Sequence, residues 1–199
     1  MIDWTEPTFL KGGNVKLIPL AKAQQEDLLA AASDGELWNL WYTSVPSKET
    51  IDRYIATALQ ELEARKSLPF AVVDTTTNTI VGSTRYCNID LASRRLEIGY
   101  TWYAKRVQRT GINTSCKYLL LQHAFEQYDA IAVELRTNWF NYRSRNAILR
   151  LGAKQDGVLR NHKIDHEGNL RDTVVFSIIA SEWPRVKRSL AFEMGKYGG

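Results

Sequence analysis

The chain has 199 residues, 44% of them apolar and 11% aromatic, which is enough to bury a sizeable core and suits one folded unit better than two. Its formal charge of +4 comes from 26 basic against 22 acidic side chains, scattered rather than gathered into a run. That balance fits an anionic small molecule and falls short of a dedicated nucleic-acid footprint, so nucleic acid is not expected as a primary partner. Cys87 and Cys116 are too few for a disulfide framework or a paired-cysteine metal site. No apolar run reaches the ~20 residues of a membrane span and the start lacks a secretion signal, so a cytoplasmic protein is expected.

In chain order, the polar–apolar alternation of residues 14–20 predicts a first strand, and residues 24–32 a helix. Ser47 is placed to cap a second helix, in which Ile51, Tyr54, Ile55, Ala58, Leu59 and Leu62 recur at spacings of three and four. Residues 70–74, a polar turn over 75–78 and residues 79–83 read as a hairpin, and a further strand covers 96–103. Tyr118, Leu119, Leu121, Ala124, Phe125 and Tyr128 place a helix after Gly111, with residues 131–136 a strand behind it. A helix over 141–151 ends at Gly152, where a glycine can close the last turn. A last hairpin, 154–162 with 172–179, turns near Gly168, and residues 181–190 form a terminal helix.

The segment Gln108-Arg109-Thr110-Gly111-Ile112-Asn113-Thr114-Ser115 is a loop between an apolar strand and an amphipathic helix. The first N–H groups of such a helix lack intrahelical acceptors, and with the helix dipole they favour a phosphate, although one glycine alone also fits an ordinary turn. Downstream, Asn141 and Ser144 lie three apart at the start of a helix, the common position of capping residues.

Together these segments resemble the GNAT superfamily of N-acetyltransferases. Gln108-x-x-Gly111-x-Asn113 is similar to its pyrophosphate loop, with Asn113 in place of the usual small residue. Asn141-x-x-Ser144, Gly152-Ala153, and His162, Gly168, Arg171 and Asp172 look like its ribosomal-protein (RimJ/RimL-like) N-acetyltransferase branch.

The resemblance implies an α/β fold of the α+β type. Its mainly antiparallel, twisted sheet of six to seven strands would split between the fourth and fifth, flanked by helices. Residues 1–199 would form one acetyltransferase domain, with its core at about 14–180 and a terminal helix and tail at about 181–199. Acetyl-CoA is then the co-substrate. Thr101, Trp102 and Tyr103 would bind its arm through main chain and Asn141 through its side chain, while residues 108–114, including Arg109, Thr110, Ile112 and Thr114, would hold its pyrophosphate. Many relatives carry an acid tyrosine seven residues after this asparagine; here that position is Ile148, and Ser144 is the expected substitute as catalytic donor to the thiolate.

An amine attacks a thioester only when neutral, so a protein α-amino group, with a pKa of about 8, is an easier acceptor than a lysine near about 10.4. Glu97, on the strand leading to the thioester, is the candidate base; the alternative is a solvent-facing carboxylate. Main-chain N–H groups near Trp102 could steady the oxyanion. Trp38, Trp41 and Tyr42 form an aromatic group that is either core or, as in relatives, the roof over the acceptor. By resemblance to the branch, a protein N-terminal amine is the first candidate acceptor; a small-molecule amine, such as a polyamine or an antibiotic amine, is the alternative. A non-catalytic acyl-CoA-binding module is the rival class. A metal on His162-x-x-x-His166 is not expected, because a hairpin does not give that spacing its helical geometry. A homodimer is the base-rate expectation for assembly.

Overall fold

The alternation at residues 14–20 produces strand β2 (Val15–Pro19), whose Val15 and Leu17 are fully buried. The computed structural model describes residues 2–165 and 167–195. In it β2 is one of eight strands in a single sheet. The others are β1 (Leu10–Gly12), β3 (Leu68–Asp74), β4 (Thr79–Asp90), β5 (Arg95–Tyr103), β6 (Ala132–Asn138), β7 (Lys154–Ile164) and β8 (Leu170–Ile179), arranged β1-β2-β3-β4-β5-β6-β8-β7. Every neighbouring pair is antiparallel except β5 and β6, which are parallel. The sheet has one strand more than the six to seven expected. The addition is β1, three residues paired on β2, too short to carry a period that a sequence pattern reveals.

Among the described residues, five α-helices cover the sheet: α1 (Gln25–Ser33), α2 (Ile51–Glu63), α3 (Ile112–Glu126), α4 (Tyr142–Arg150) and α5 (Trp183–Gly195). Successive residues of β4 show how they divide. Arg85 reaches Glu61 of α2 at 3.0 Å, whereas the Tyr86 hydroxyl donates to the Leu120 carbonyl of α3 at 2.6 Å, so α2 and α3 lie on opposite faces. Helix α3 is buried nearly all round, between the sheet and α5, where the Phe125 and Trp183 rings stack at 5.3 Å. Phe70, Phe176 and Leu120 have no exposed surface, and each such burial is worth about 1.5–3 kcal/mol.

Two boundaries differ from the sequence reading. Helix α2 starts at Ile51 with Thr50 as N-cap, because Ser47 forms the preceding turn: its carbonyl accepts from the Ile51 N–H at 2.9 Å while its hydroxyl bonds Glu49. Strand β4 runs on past Ser83 to Asp90. Thr84 and Arg85 look like a polar interruption in the sequence, yet both are buried: the Thr84 hydroxyl pairs with that of Thr101, and one terminal Arg85 nitrogen donates to Glu61 while its Nε is left without a partner. Among the described residues, no helix is long and apolar enough to cross a membrane.

Candidate active site

The site begins with a mismatch between β4 and β5. Ser83 faces Trp102 and Arg85 faces Gly99, so Tyr100 and Thr101 stand opposite the single residue Thr84, a bulge that puts Tyr100 at φ +51. Gly82 permits the close approach: a Cβ there would stand 2.2 Å from the Trp102 carbonyl oxygen. The bulge bends β5, and its parallel pairing with β6 stops after three positions, Arg95–Ala132, Leu96–Val133 and Glu97–Glu134. Beyond Glu97 the strands part while β6 stays paired to β8 as far as Asn138. This is the split anticipated between the strands over 96–103 and 131–136. The β6-facing edge of residues 98–103 is left without a strand partner, and a cleft of about 690 Å³ opens there.

At one end lies the loop before α3. Gln108 donates from Nε2 to the Tyr103 carbonyl at 3.0 Å, and the Thr110 hydroxyl donates to the Val107 carbonyl at 2.7 Å, tying the loop to the end of β5. The left-handed residue is Arg109, at φ +64; Gly111, the N-cap of α3, has an ordinary helical φ of −69. Of the anticipated cofactor residues, Thr101, Trp102, Tyr103, Gln108, Arg109, Thr110, Asn113 and Asn141 line the cleft. Gly111, Ile112 and Thr114 are buried behind it, and the Thr114 hydroxyl is without a hydrogen-bond partner. The Asn141 side-chain oxygen accepts the Ser144 N–H at 3.0 Å, so it caps α4, and both residues also border the cleft.

The aromatic group divides. Tyr42 lines the cleft, Trp41 is 51% exposed with its ring 5.5 Å from Tyr42 and 5.7 Å from Phe140, and Trp38 packs against the core. The Trp102 indole N–H donates to the Tyr54 hydroxyl, which donates to Ser83, which in turn donates to the Phe70 carbonyl, a chain that fixes the bulge against α2.

Just behind the inner end, next to Ile98 and Arg136 but not itself lining the cleft, stands Glu97. It is 8% exposed rather than solvent-facing, accepts from Asn88 Nδ2 at 2.7 Å, and lies 3.5 Å from Arg136, which lines the cleft. Burial pushes its pKa up, against the opposing pull of the Asn88 hydrogen bond and Arg136. Gly99 leaves room for it: a Cβ there would come within 3.0 Å of the Glu97 carboxylate. Ile148, at the vacant tyrosine position, is buried and borders the cleft.

The sequence reading missed Lys117. It is 5% exposed on the core-facing side of α3, borders the cleft, and its Nζ donates to the Thr101 hydroxyl at 2.6 Å. Burial pulls its pKa down to about 8. A lysine four residues before Leu121 and three before Leu120, on the apolar face, was the available signal. Also missed was the sign of the cleft. Arg109, Lys117, Arg136, Arg143, Arg150 and Arg171 line it, and among the described residues no aspartate or glutamate does. His162 lies 3.1 Å from the Thr173 hydroxyl, and His166 falls outside the described residues, among which no cluster of three metal-ligating side chains occurs.

Comparison with known proteins follows the same outline. Residues 14–154 match the acetyltransferase (GNAT) domain family. A Bacillus subtilis (strain 168) protein named "Putative ribosomal N-acetyltransferase YdaF" is 32% identical over 96 residues, 48% of this chain and 51% of that one, so the chain spans about half the length of this curated relative. A GCN5-related N-acetyltransferase from Brucella melitensis superposes with a TM-score of 0.86 at 27% identity, covering 95% of this chain and 86% of that one. RimJ of Mycobacterium smegmatis, solved in complex with CoA-disulfide, covers 96% of both chains at a TM-score of 0.78; its 20% identity speaks for the fold alone.

Proposed function

The chain belongs to the acetyltransferase (GNAT) family and is by that membership an N-acetyltransferase, and we propose that it moves an acetyl group from acetyl-CoA to a protein N-terminal amine. The observation that carries this reading is the parting of β5 from β6 just beyond Glu97, with the start of α3 at one end of the opening and, behind Arg136 at the other, a buried carboxylate. The resemblance to the ribosomal-protein branch is supported by the relative bearing a ribosomal N-acetyltransferase name. The whole chain is taken to act as one acetyltransferase domain.

The residues present fit the co-substrate. The β6-facing edge of residues 98–103 offers main-chain groups to an amide-bearing arm, the first N–H groups of α3 suit a pyrophosphate, and the cationic lining suits its charge. When bound, acetyl-CoA supplies the thioester that an amine can attack. Glu97 takes the proton of the acceptor ammonium, directly or through a water beside Arg136, and its raised pKa makes it a stronger base than an exposed carboxylate. Main-chain N–H groups near Trp102 hold the developing oxyanion. Ser144 donates a hydrogen bond toward the departing sulfur, Asn141 orients the arm, and Tyr42 with Trp41 bounds the acceptor end.

The test is calorimetric titration with acetyl-CoA followed by mass spectrometry of peptides incubated with it. Saturable binding and a 1:1 gain of acetyl on the peptide α-amine support the reading. Binding without transfer to any amine points to an acyl-CoA-binding module, and no binding overturns both.

A further inference from the structure

We propose that the acceptor carries a carboxylate close to its amine, as in a peptide whose N-terminal residue is followed by an acidic one, and that Arg171 recognises that carboxylate. The proposal rests on the acetyl-transfer reading above and names the substrate class of the same cleft.

The argument starts from how the six cations of the cleft are employed. Arg109 lies in the loop before α3, and Arg143 and Arg150 lie on α4 with Asn141, the elements assigned to the cofactor. Lys117 is held by the Thr101 hydroxyl. Arg136 is committed to Glu134 through two hydrogen bonds, of 3.0 and 2.7 Å, and to Glu97. Arg171 differs. It enters the cleft from the first turn-proximal residues of β8, opposite another cation, Lys163 of β7. Its Nε is buried without a hydrogen-bond partner, and no carboxylate among the described residues forms an ion pair with it.

The neighbouring acid cannot serve it. Asp172 is taken by the Arg160 guanidinium at 2.6 Å and by the Asn161 N–H at 2.7 Å. The Tyr100 ring is already covered by Arg85, 4.0 Å from its centre. Burial pulls the Arg171 pKa down, partly offset by Glu97 and Tyr100. A buried donor left unmatched costs free energy that an arriving acceptor recovers, and a planar guanidinium matches a carboxylate by two parallel bonds. With Glu97 receiving the amine's proton and Arg171 lining the same cleft, the two suit an acceptor bearing both charges a few bonds apart. The same lining repels a polyamine or another polycationic amine.

The test uses twin peptides, C-terminally amidated and alike except for glutamate or glutamine as second residue. Their N-acetylated forms are titrated calorimetrically into the unaltered chain, into Arg171→Gln and into Arg171→Lys. The glutamate twin is expected to bind about tenfold tighter or more, the size usual for hydrogen bonds between charged groups. Arg171→Gln should level the twins and Arg171→Lys should restore part of the preference. Equal or undetectable binding of the twins to the unaltered chain, or a preference that survives Arg171→Gln, overturns the proposal. The first comparison needs no variant, so it decides even if Arg171→Gln does not fold. The free-amine twins are then incubated with acetyl-CoA. Preferential binding without acetyl transfer upholds the anion site and overturns the enzymatic reading; equal binding with equal transfer does the reverse.

Discussion

The two ends of the cleft are built in different ways. The end before α3 comes from one continuous stretch, residues 108–113, joined by Asn141, and its local bonds are short-range: Gln108 to Tyr103, Thr110 to Val107, Asn141 to Ser144. The inner end is assembled from β4, β5, β6, α3 and β8, through Asn88, Glu97, Arg136, Lys117 and Arg171. A backbone-donor site needs only a loop and a helix start, so one segment supplies it. A tuned carboxylate needs burial and partners from several directions, so only a folded sheet supplies it.

That contrast is sharpened most by Glu97→Gln. If the inner end performs the proton transfer, kcat should fall by about a hundredfold or more, within the range usual for removing a general base, while acetyl-CoA affinity holds. The unaltered enzyme should also gain rate as pH rises through a carboxylate pKa lying above the ordinary glutamate value, because the base form accumulates there. That limb should vanish in Glu97→Gln, and an unshifted profile would break the comparison.

Asn113→Asp probes the other end. A carboxylate in the first turn of α3 should stabilise the helix by about 0.3–1 kcal/mol yet repel the pyrophosphate. Acetyl-CoA affinity measured by calorimetry should drop about tenfold, a change of about 1.4 kcal/mol, while thermal stability rises or holds.

Lys117 offers a pH test of the inner end's burial. Its pKa near 8 in the folded chain lies below the ordinary lysine value of 10.5, so the folded state disfavours the proton. Stability is penalised below about pH 8 and recovers as pH rises toward 10.5. Denaturation between pH 8 and 10 should therefore show the unaltered chain gaining about 1–2 kcal/mol relative to Lys117→Met, and parallel curves would contradict it. The smallest effect belongs to Tyr54→Phe. It removes the hydroxyl between Trp102 and Ser83, should cost about 1 kcal/mol in urea unfolding, and should loosen the bulge that both ends share.

Legibility in the sequence followed the same division. The loop motif, Asn141, Ser144 and Glu97 could be named because strand and helix patterns bracket them. Trp38 and Trp41, read with Tyr42 as one aromatic group, separate in the fold, since a short 3-10 turn over Leu37–Asn39 directs neighbouring rings to core, solvent and cleft. Lys117 was not legible because a lone cation within an apolar helix face gives no sign of whether its charge will meet a partner, and Arg171, legible only as part of the branch resemblance, gave no sign of the unpartnered donor it brings to the cleft.

The sequence by itself determined the order of strands and helices, the position of the parting between β5 and β6, and the family. The order follows from periodicity and from glycine and asparagine at element ends, which act over a few residues, whereas the family and the parting follow from the resemblance of the Gln108–Asn113 loop and the Asn141-x-x-Ser144 segment to the GNAT superfamily. The tertiary structure alone decided the bulge at Tyr100, the buried state of Glu97 and the uniformly positive lining of the cleft. Each depends on desolvation and charge contributed by strands and helices distant in sequence, and desolvation exists only once the sheet has closed around them.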